Sequence, residues 1–314
     1  MATILLTGAT GFVGSHVLFA LQAAGHEVRC ATRSLDESRA KAPQLTWVEA
    51  DLERPDTLTP ALTGCDAAVF LVHAMDDAHA GNYPERERDN ARAFLAAAER
   101  ASVRRIVYLG GVVPAHDVSR HLRSRQRTGE ILRSGKVETI ELRAAMVIGA
   151  GSVSWMMVRD LARRLPAMIL PRWLRNVSYP IAIEDVAHGI VGALALPTGR
   201  SRIYDLPGPQ RLSHREVLER AVAAMGLHRT MISVPLLSPR LSSYWIALVT
   251  RTHLTMAKEL VEGLRFDLEP SHPHLWPEIH HTPLPVDEAI RRALTDDTAP
   301  VVPSPAMRVR LAQP

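Results

Sequence analysis

The stretch MATILLTGATGFVG, residues 1–14, decides the fold of this 314-residue chain. Its apolar run ILL, residues 4–6, is typical of a strand buried in a parallel sheet. Gly8, Gly11 and Gly14 follow with the spacing G-x-x-G-x-x-G. Apolar residues then recur at helical spacing until the next glycine ends the pattern. The N-terminus is therefore predicted to form a strand, a glycine turn and a helix.

This unit is typical of a phosphate-binding site. Gly8 permits a tight turn, Gly11 lets the backbone approach a pyrophosphate, and Gly14 lets the helix pack closely on the strand. The free amides and the positive end of the helix dipole then face the anion. The turn is predicted to bind a dinucleotide through Gly8, Thr10, Gly11, Phe12, Val13 and Gly14. The alternative is a strand–turn–helix unit whose glycines serve packing only.

The second strand, EVRCAT at residues 27–32, indicates the type of cofactor. It ends in Arg33-Ser34. An acidic residue here would accept a hydrogen bond from the ribose 2′-hydroxyl of NAD, whereas an arginine followed by a small hydroxyl residue suits the 2′-phosphate of NADP. Arg33 and Ser34 therefore predict NADP(H) as the cofactor. The alternative is a solvated arginine at a strand end.

Strands and helices alternate through the first half of the chain, which predicts an α/β fold with a Rossmann-type, doubly wound parallel sheet. Ligands bind such sheets beyond the carboxyl ends of the strands. The cofactor-binding residues predicted at those ends are Asp51, Leu52, Leu71, Val72, His73, Gly110, Gly111, Met146 and Ile148. We expect an NAD(P)-binding domain at 1–150, with its sheet completed by parts of 178–206. A small substrate domain is expected mainly at 151–297, and a tail at 298–314.

These residues resemble the short-chain dehydrogenase/reductase superfamily, in its atypical and extended branches, and most of all the NmrA-like NAD(P)H-binding proteins. The matching motifs are TGATGFVG at 7–14, Arg33, Asp51-Leu52, Asn90 and PIAIEDVA at 180–187. The resemblance implies a nucleotide domain with a small substrate domain formed by C-terminal insertions. It also implies a catalytic Tyr-x-x-x-Lys pair on the fifth helix and a Ser or Thr after the fifth strand.

The chain departs from that catalytic pattern. Gly110 and Gly111 stand where the hydroxyl residue is expected, and the fifth helix contains neither tyrosine nor lysine. The nearest match in spacing is His121 with Arg125, four residues apart and so on one helical face. His121 is predicted to donate a proton near neutral pH, and Arg125 to hold the ribose or an anionic substrate. The alternative is a solvated, arginine-rich helix face.

The charge and the cysteine and histidine content of the chain limit the kinds of molecule that it is expected to bind. The net charge is +4 and no dense basic tract with aromatic residues is present, so nucleic-acid binding is not expected. Two cysteines suggest neither a disulfide framework nor a zinc site. The histidine-rich stretch at 272–281 contains prolines and predicts a loop without a metal. We expect a cytoplasmic monomer or homodimer that acts on a small molecule and has no stable membrane insertion.

Two functions from different classes remain open. The first is an NADPH-dependent reductase of an apolar carbonyl, imine or activated alkene. The second is a non-catalytic NADP(H)-binding redox sensor or assembly and regulatory protein of the NmrA type. An isomerase or dehydratase with a permanently bound cofactor is a third, less favoured without the tyrosine. Apolar residues predicted near the substrate are Met146, Trp155, Met156, Met157, Trp173 and Tyr179, with a core between domains as the alternative.

Overall fold

A computed structural model describes residues 1–72, 83–114, 118–234, 244, 249 and 254–298. The predicted cofactor residue His73 lies outside these residues, as do most of residues 242–250, whose sequence predicts a helix. The described strands are β1 (Thr3–Leu6), β2 (Glu27–Thr32), β3 (Thr46–Glu49), β4 (Ala67–Phe70), β5 (Arg105–Gly111), β6 (Glu138–Ala144), β7 (Val147–Ile148), β8 (Ala167–Pro171), β9 (Val177–Ser178), β10 (Ile181–Ala182), β11 (Arg202–Asp205), β12 (Leu212–Ser213) and β13 (Thr230–Val234).

Seven of these strands form the central sheet, in the order β11-β6-β5-β4-β1-β2-β3. Every pairing within this sheet is parallel. From β1 the chain builds outward to β2 and β3, then returns to add β4 on the other side of β1. The order of the strands therefore reverses beside β1, where doubly wound sheets open a crevice for ligands. The predicted Rossmann-type α/β fold is confirmed.

Helices cover both faces of the sheet. They are α1 (Phe12–Ala23), α2 (Leu35–Lys41), α3 (Leu58–Leu62), α4 (Tyr83–Arg100), α5 (Arg120–Arg133), α6 (Val153–Arg164), α7 (Ile183–Ala195) and α8 (His214–Ala224), with further helices Leu254–Gly263 and Val286–Thr298 and 3-10 turns Pro55–Thr57 and Arg172–Arg175. Alternate residues of β1 point to opposite faces: Ile4 and Leu6 join the core under α1 and α7, and Leu5 joins the core under α3, α4 and α5. This two-sided burial explains the continuous apolar run of β1.

Two strand boundaries differ from the sequence prediction. Gly110 and Gly111 were expected to follow the fifth strand, but they are its last two residues and pair with Arg143 and Ala144 of β6. The ladder continues because both glycines are buried among neighbouring side chains, so the lack of a Cβ does not end the strand. The sequence SYPIAI at residues 178–183 predicts one short strand, but the structure has two, β9 and β10, because Pro180 between them has no amide to donate.

The C-terminal segment is anchored to the sheet by two buried carboxylates. Asp185 of α7 accepts hydrogen bonds from His281 Nε2 at 2.7 Å and from the amide of Leu284 at 2.9 Å. Asp205, at the end of β11, accepts from the backbone amides of residues 271–272 at 2.6 and 2.7 Å. Within the described parts of the chain, no helix is long and apolar enough to cross a membrane. Nor do His, Cys, Asp and Glu side chains there form a group of three or more that could hold a metal ion.

Candidate functional site

The turn between β1 and α1 is shaped by its glycines. Gly8 has a φ of +69°, a left-handed conformation that side-chain-bearing residues rarely adopt. A Cβ on Gly14 would lie 2.0 Å from the Gly8 carbonyl oxygen, so only glycine permits this approach of helix and turn. Gly11 is the N-cap of α1 and makes no side-chain capping bond, and the first turn of the helix has no acidic residue. The Gly11 amide donates to the Gly8 carbonyl at 2.9 Å, whereas the first amides of α1 have no partner within the helix. These amides are thus available to an anion, which fits a pyrophosphate.

The turn opens into a cavity of about 1340 Å³ at the carboxyl edge of the sheet. Pockets for a single small ligand usually measure about 300–1,000 Å³. The cavity therefore has room for more than one such ligand. The predicted cofactor residues that line it are Gly8, Thr10, Gly11, Phe12, Val13, Gly14, Arg33, Ser34, Asp51, Leu52, Leu71, Val72, Gly111 and Met146, and the predicted catalytic residues His121 and Arg125 line it too.

Two predicted cofactor residues, Gly110 and Ile148, do not line this cavity. A Cβ on Gly110 would meet Tyr108 and Glu141, because successive strand residues point to opposite faces and Gly110 faces away from Gly111. Ile148 is 1% exposed and packs in the core formed with α8 and the C-terminal helix. Neither residue is where the sequence interpretation expected it.

His121 lies in the cavity wall but does not have the expected chemistry. Its side chain is buried, and its Nδ1 has no hydrogen-bond partner among the described residues. Burial, reinforced by the neighbouring Arg125 cation, lowers the pKa of His121 to about 3. The ring is consequently neutral near neutral pH. The expectation that His121 donates a proton there as an imidazolium is incompatible with this environment.

The burial of His121 predicts a pH dependence of stability. Because its pKa is about 3 when folded and near 6.5 when exposed, the unfolded chain takes up the proton first, and stability falls as the pH drops below 6.5. We expect His121→Gln to reduce the loss of unfolding free energy between pH 7 and pH 5 by about 2 kcal/mol, at about 1.4 kcal/mol per pH unit. Urea titrations at both pH values measure this. His228→Gln, at an exposed position, is the control; equal losses for wild type and His121→Gln would contradict the prediction.

Arg125 places a permanent cation beside His121. Its Nη2 donates to the carbonyl of Leu109 at 3.0 Å, and its Nε has no partner among the described residues. The hydroxyl of Tyr108 donates to the Arg125 carbonyl at 2.9 Å, which fixes this turn of α5 against β5. A guanidinium stays protonated in proteins, so Arg125 can bind an oxygen acceptor but cannot supply a proton.

The structure adds Glu259, which the sequence reading missed. This half-buried residue of the helix Leu254–Gly263 lines the cavity together with His121 and Arg125. The Tyr83 hydroxyl donates to Glu259 Oε1 at 3.4 Å, and Oε2 is buried with no partner in the described part of the chain. Burial, followed by the nearby Glu262 carboxylate, raises the pKa of Glu259. The sequence of residues 256–264 predicts a helix, but no motif distinguishes this glutamate from other acidic residues on helices.

The cavity has one charged part and one apolar part. Apart from Glu259, every charged residue of the described lining belongs to the first 125 residues. The apolar part is enclosed by α6, β8, α8 and the helix Leu254–Gly263, and its walls include Met157, Leu161, Met168, Leu170, Trp173, Leu174, Val217, Leu218, Val261 and Leu264. His214 also lines it, with its pKa lowered by burial to about 4. Of the apolar residues predicted near the substrate, Trp155, Met156 and Tyr179 do not line the cavity.

The chain is similar in sequence to a family of NAD(P)H-binding proteins and in fold to a solved reductase structure. The model of an NAD(P)H-binding family matches residues 8–166. The NAD(P)H azoreductase of Xenophilus azovorans is 30% identical over 232 residues, which cover 71% of this chain and 74% of that protein. The photosystem II assembly factor Ycf39 of Cyanophora paradoxa is 23% identical over 74% of this chain and 72% of its own length. The crystal structure of the Citrobacter sp. triphenylmethane reductase complexed with NADP(H) has a TM-score of 0.73 at 16% identity, covering 93% of this chain and 99% of that one.

Proposed function

Because the chain belongs to the NAD(P)H-binding family of the atypical short-chain dehydrogenases/reductases, we propose that it is an NADPH-dependent reductase of an apolar carbonyl, imine or activated alkene. One observation carries the proposal. The glycine turn and the apolar walls belong to the same cavity, so a dinucleotide and an apolar substrate can meet in it. The name of the azoreductase relative describes that protein, and the substrate proposed here rests on the cavity of this chain.

In this proposal the turn at Gly8, Gly11 and Gly14 holds the pyrophosphate through its backbone amides. When bound, the dinucleotide supplies a hydride at its nicotinamide ring. Gly111 and Met146, at the ends of β5 and β6, flank the nicotinamide, and Arg125 holds the ribose. The apolar walls beyond Met146 take the substrate and exclude water from the reacting atoms.

We assign the preference for NADPH to Arg33 and Ser34. Both line the cavity and, in this proposal, face the adenosine part of the bound dinucleotide. We expect Arg33→Ala to weaken NADPH binding about 10- to 100-fold and to leave NADH binding nearly unchanged, because a hydrogen bond to a charged group contributes about 1.5–3 kcal/mol. Fluorescence titration with both dinucleotides measures the two affinities. Arg39→Ala, on the adjacent helix α2 and outside the cavity, is the matched control. Equal losses for both dinucleotides would contradict a role in 2′-phosphate recognition.

The reductase activity is tested by NADPH oxidation with a panel of uncharged aromatic ketones, imines, enones and azo compounds. Turnover on at least one class, abolished by filling the apolar part with Leu218→Trp, supports the proposal. Tight binding of NADPH without turnover on any class removes the reductase and favours the second function.

That second function is a non-catalytic NADP(H)-binding sensor or assembly protein. Two observations favour it: α5 carries neither tyrosine nor lysine, and the relative from Cyanophora paradoxa is described as an assembly factor. The division into a cofactor domain at 1–150 and a substrate domain at 151–297 belongs to the proposal as well. The cytoplasmic location and the monomeric or homodimeric state stay predictions from the sequence.

A further inference from the structure

We propose that Glu259 is the proton donor of this reduction, and that it protonates an uncharged acceptor atom of the substrate where the charged and apolar parts of the cavity meet. The inference rests on the proposed reductase function and adds the residue that the missing Tyr-x-x-x-Lys pair leaves unassigned. It also restricts the substrate to molecules whose buried portion carries no charge.

The other polar groups of the cavity wall near α5 are unsuited to donate the proton. The His121 ring is neutral near pH 7, and the Arg125 guanidinium does not release a proton. Ser119, also in the cavity wall, uses its hydroxyl oxygen to cap α5 by accepting from the Leu122 amide at 3.3 Å. The remaining charged residues of the described lining lie on the side of β2, β3 and α4. Within the described lining of the cavity, Glu259 is the carboxyl group that lies beside His121 at the start of α5.

The environment of the Glu259 carboxyl favours its acid form. Facing it are Glu262 from its own helix, Tyr83 from α4, and Arg120 with the backbone amide of His121 from α5. Burial and Glu262 raise the pKa of Glu259, and these effects exceed the opposing effects of the His121 amide, the Tyr83 hydroxyl and the Arg120 cation. A raised pKa keeps a larger fraction of the carboxyl in its acid form near neutral pH, as general acid catalysis requires.

The two oxygens of the Glu259 carboxyl have different surroundings. Oε1 accepts from the Tyr83 hydroxyl, and the carboxyl also faces the His121 amide, whereas no hydrogen bond to the buried Oε2 is found in the described structure. A buried oxygen without a partner is unfavourable. A proton on Oε2 becomes a donor that requires an acceptor, and a carbonyl oxygen or imine nitrogen of a bound substrate supplies one. Tyr83 meanwhile holds the other oxygen and orients the group.

The walls of the apolar part limit the charge of the substrate. Beyond Glu259 the described walls of this part contain no lysine, arginine or aspartate, and His214 is neutral there. A charged group moved into such surroundings loses its hydration and finds no partner in return. The substrate portion in this part is therefore uncharged, and its acceptor atom faces the glutamate.

For a ketone, the proposed reduction combines a hydride transfer to carbon with a proton transfer to oxygen. The hydride adds to the carbonyl carbon, and the π electron pair of the C=O bond moves to the oxygen. The oxygen takes the proton of the Glu259 carboxyl, which becomes a carboxylate, and an alcohol and the oxidised dinucleotide leave the site. Water then returns a proton to Glu259 before the next turnover.

The test is Glu259→Gln, because the glutamine amide oxygen can still accept from Tyr83 and preserves a merely structural role. We expect kcat to fall about 100- to 10,000-fold, the usual contribution of a general acid, while NADPH affinity and thermal stability are retained. Wild-type kcat should decrease as the pH rises through the raised pKa of Glu259, and the residual rate of Glu259→Gln should not follow that decrease. Glu262→Gln should move the midpoint of the wild-type profile to lower pH.

Glu278→Gln, an exposed carboxyl outside the cavity, is the control and should behave as wild type. If Glu259→Gln keeps its kcat and its pH profile while the wild type turns over, the proton-donor role is overturned and the reductase function stands. If the wild type binds NADPH but turns over no member of the panel, the reductase function fails and the proton donor fails with it. A matched pair of ligands tests the substrate class: 2-acetonaphthone should bind the NADPH complex and the anion 2-naphthoate should not, and equal binding would overturn the uncharged class.

Discussion

Arg105→Ala should lower the free energy of unfolding by about 3–5 kcal/mol, the cost of breaking a buried ion pair by removing one partner. Arg105 is 4% exposed at the start of β5. Its Nε and Nη2 donate to Glu138 Oε2 at 3.0 and 2.7 Å. Its Nη1 donates to the carbonyls of Ala193, Leu194 and Leu196 at 3.0, 2.9 and 2.7 Å. Alanine would leave the buried Glu138 carboxylate, among the described residues, with the Arg202 Nη2 at 3.9 Å as its remaining cation, and the C-terminal end of α7 uncapped.

Arg104→Ala provides the matched control. The neighbouring Arg104 side chain is 67% exposed and pairs with Asp66 at 2.8 Å. Exposed ion pairs contribute about 0–1 kcal/mol, so its loss should be small. Urea denaturation at pH 7 measures both variants. The double variant Arg105→Ala/Glu138→Ala should be less destabilised than the sum of the single changes, since no buried carboxylate then remains. Equal effects at positions 104 and 105 would contradict this account.

Gly14→Ala should weaken NADPH binding about 100-fold and destabilise the protein by about 1–3 kcal/mol. The new Cβ would lie 2.0 Å from the carbonyl oxygen and 2.7 Å from the carbonyl carbon of Gly8, both backbone atoms. The turn must therefore move, and such overpacking typically costs about 1–3 kcal/mol. Two amide hydrogen bonds to the pyrophosphate, at about 1.5 kcal/mol each, account for the loss of affinity.

Gly11→Ala separates the two effects of Gly14→Ala. A Cβ on Gly11 would lie 3.2 Å from the same Gly8 oxygen, a distance that a shift of a few tenths of an ångström relieves. We expect nearly wild-type unfolding but weaker NADPH binding, because this side chain would stand where the pyrophosphate approaches the backbone. NADPH titration and urea denaturation of both variants supply the measurements. Wild-type NADPH affinity in both would show that the glycine turn does not bind the dinucleotide.

Local patterns made much of the fold predictable. The unit from β1 to α1 and the alternation of strands with helices were recognisable because each signal lies within about 20 residues of chain. The spacing of Gly8, Gly11 and Gly14 predicts a tight turn at Gly8, and the left-handed φ of Gly8 confirms that turn. The end of β5 was placed two residues early, because glycine ordinarily weakens a strand. Burial between β6 and α5 overrides that preference at Gly110 and Gly111.

The chemistry of the candidate site could be predicted only in part. Arg33 and Arg125 line the cavity, and their places at a strand end and on a helical face follow from local geometry, whereas their roles stay predictions. The prediction that His121 is a proton donor near neutral pH was wrong, because the pKa of His121 depends on burial by segments far away in the chain. Glu259 was missed for the same reason: its neighbours Tyr83 and Arg120 belong to α4 and α5, and no sequence pattern joins these helices to residue 259.

The sequence by itself determined the glycine turn, the parallel sheet and the family of the chain, because these depend on the steric limits of the backbone and the periodicity of apolar residues. Only the tertiary structure decided which polar groups lie in the cavity wall and which of them can give up a proton. Desolvation and the proximity of charges control a pKa, and both come from residues that folding brings together from distant parts of the chain.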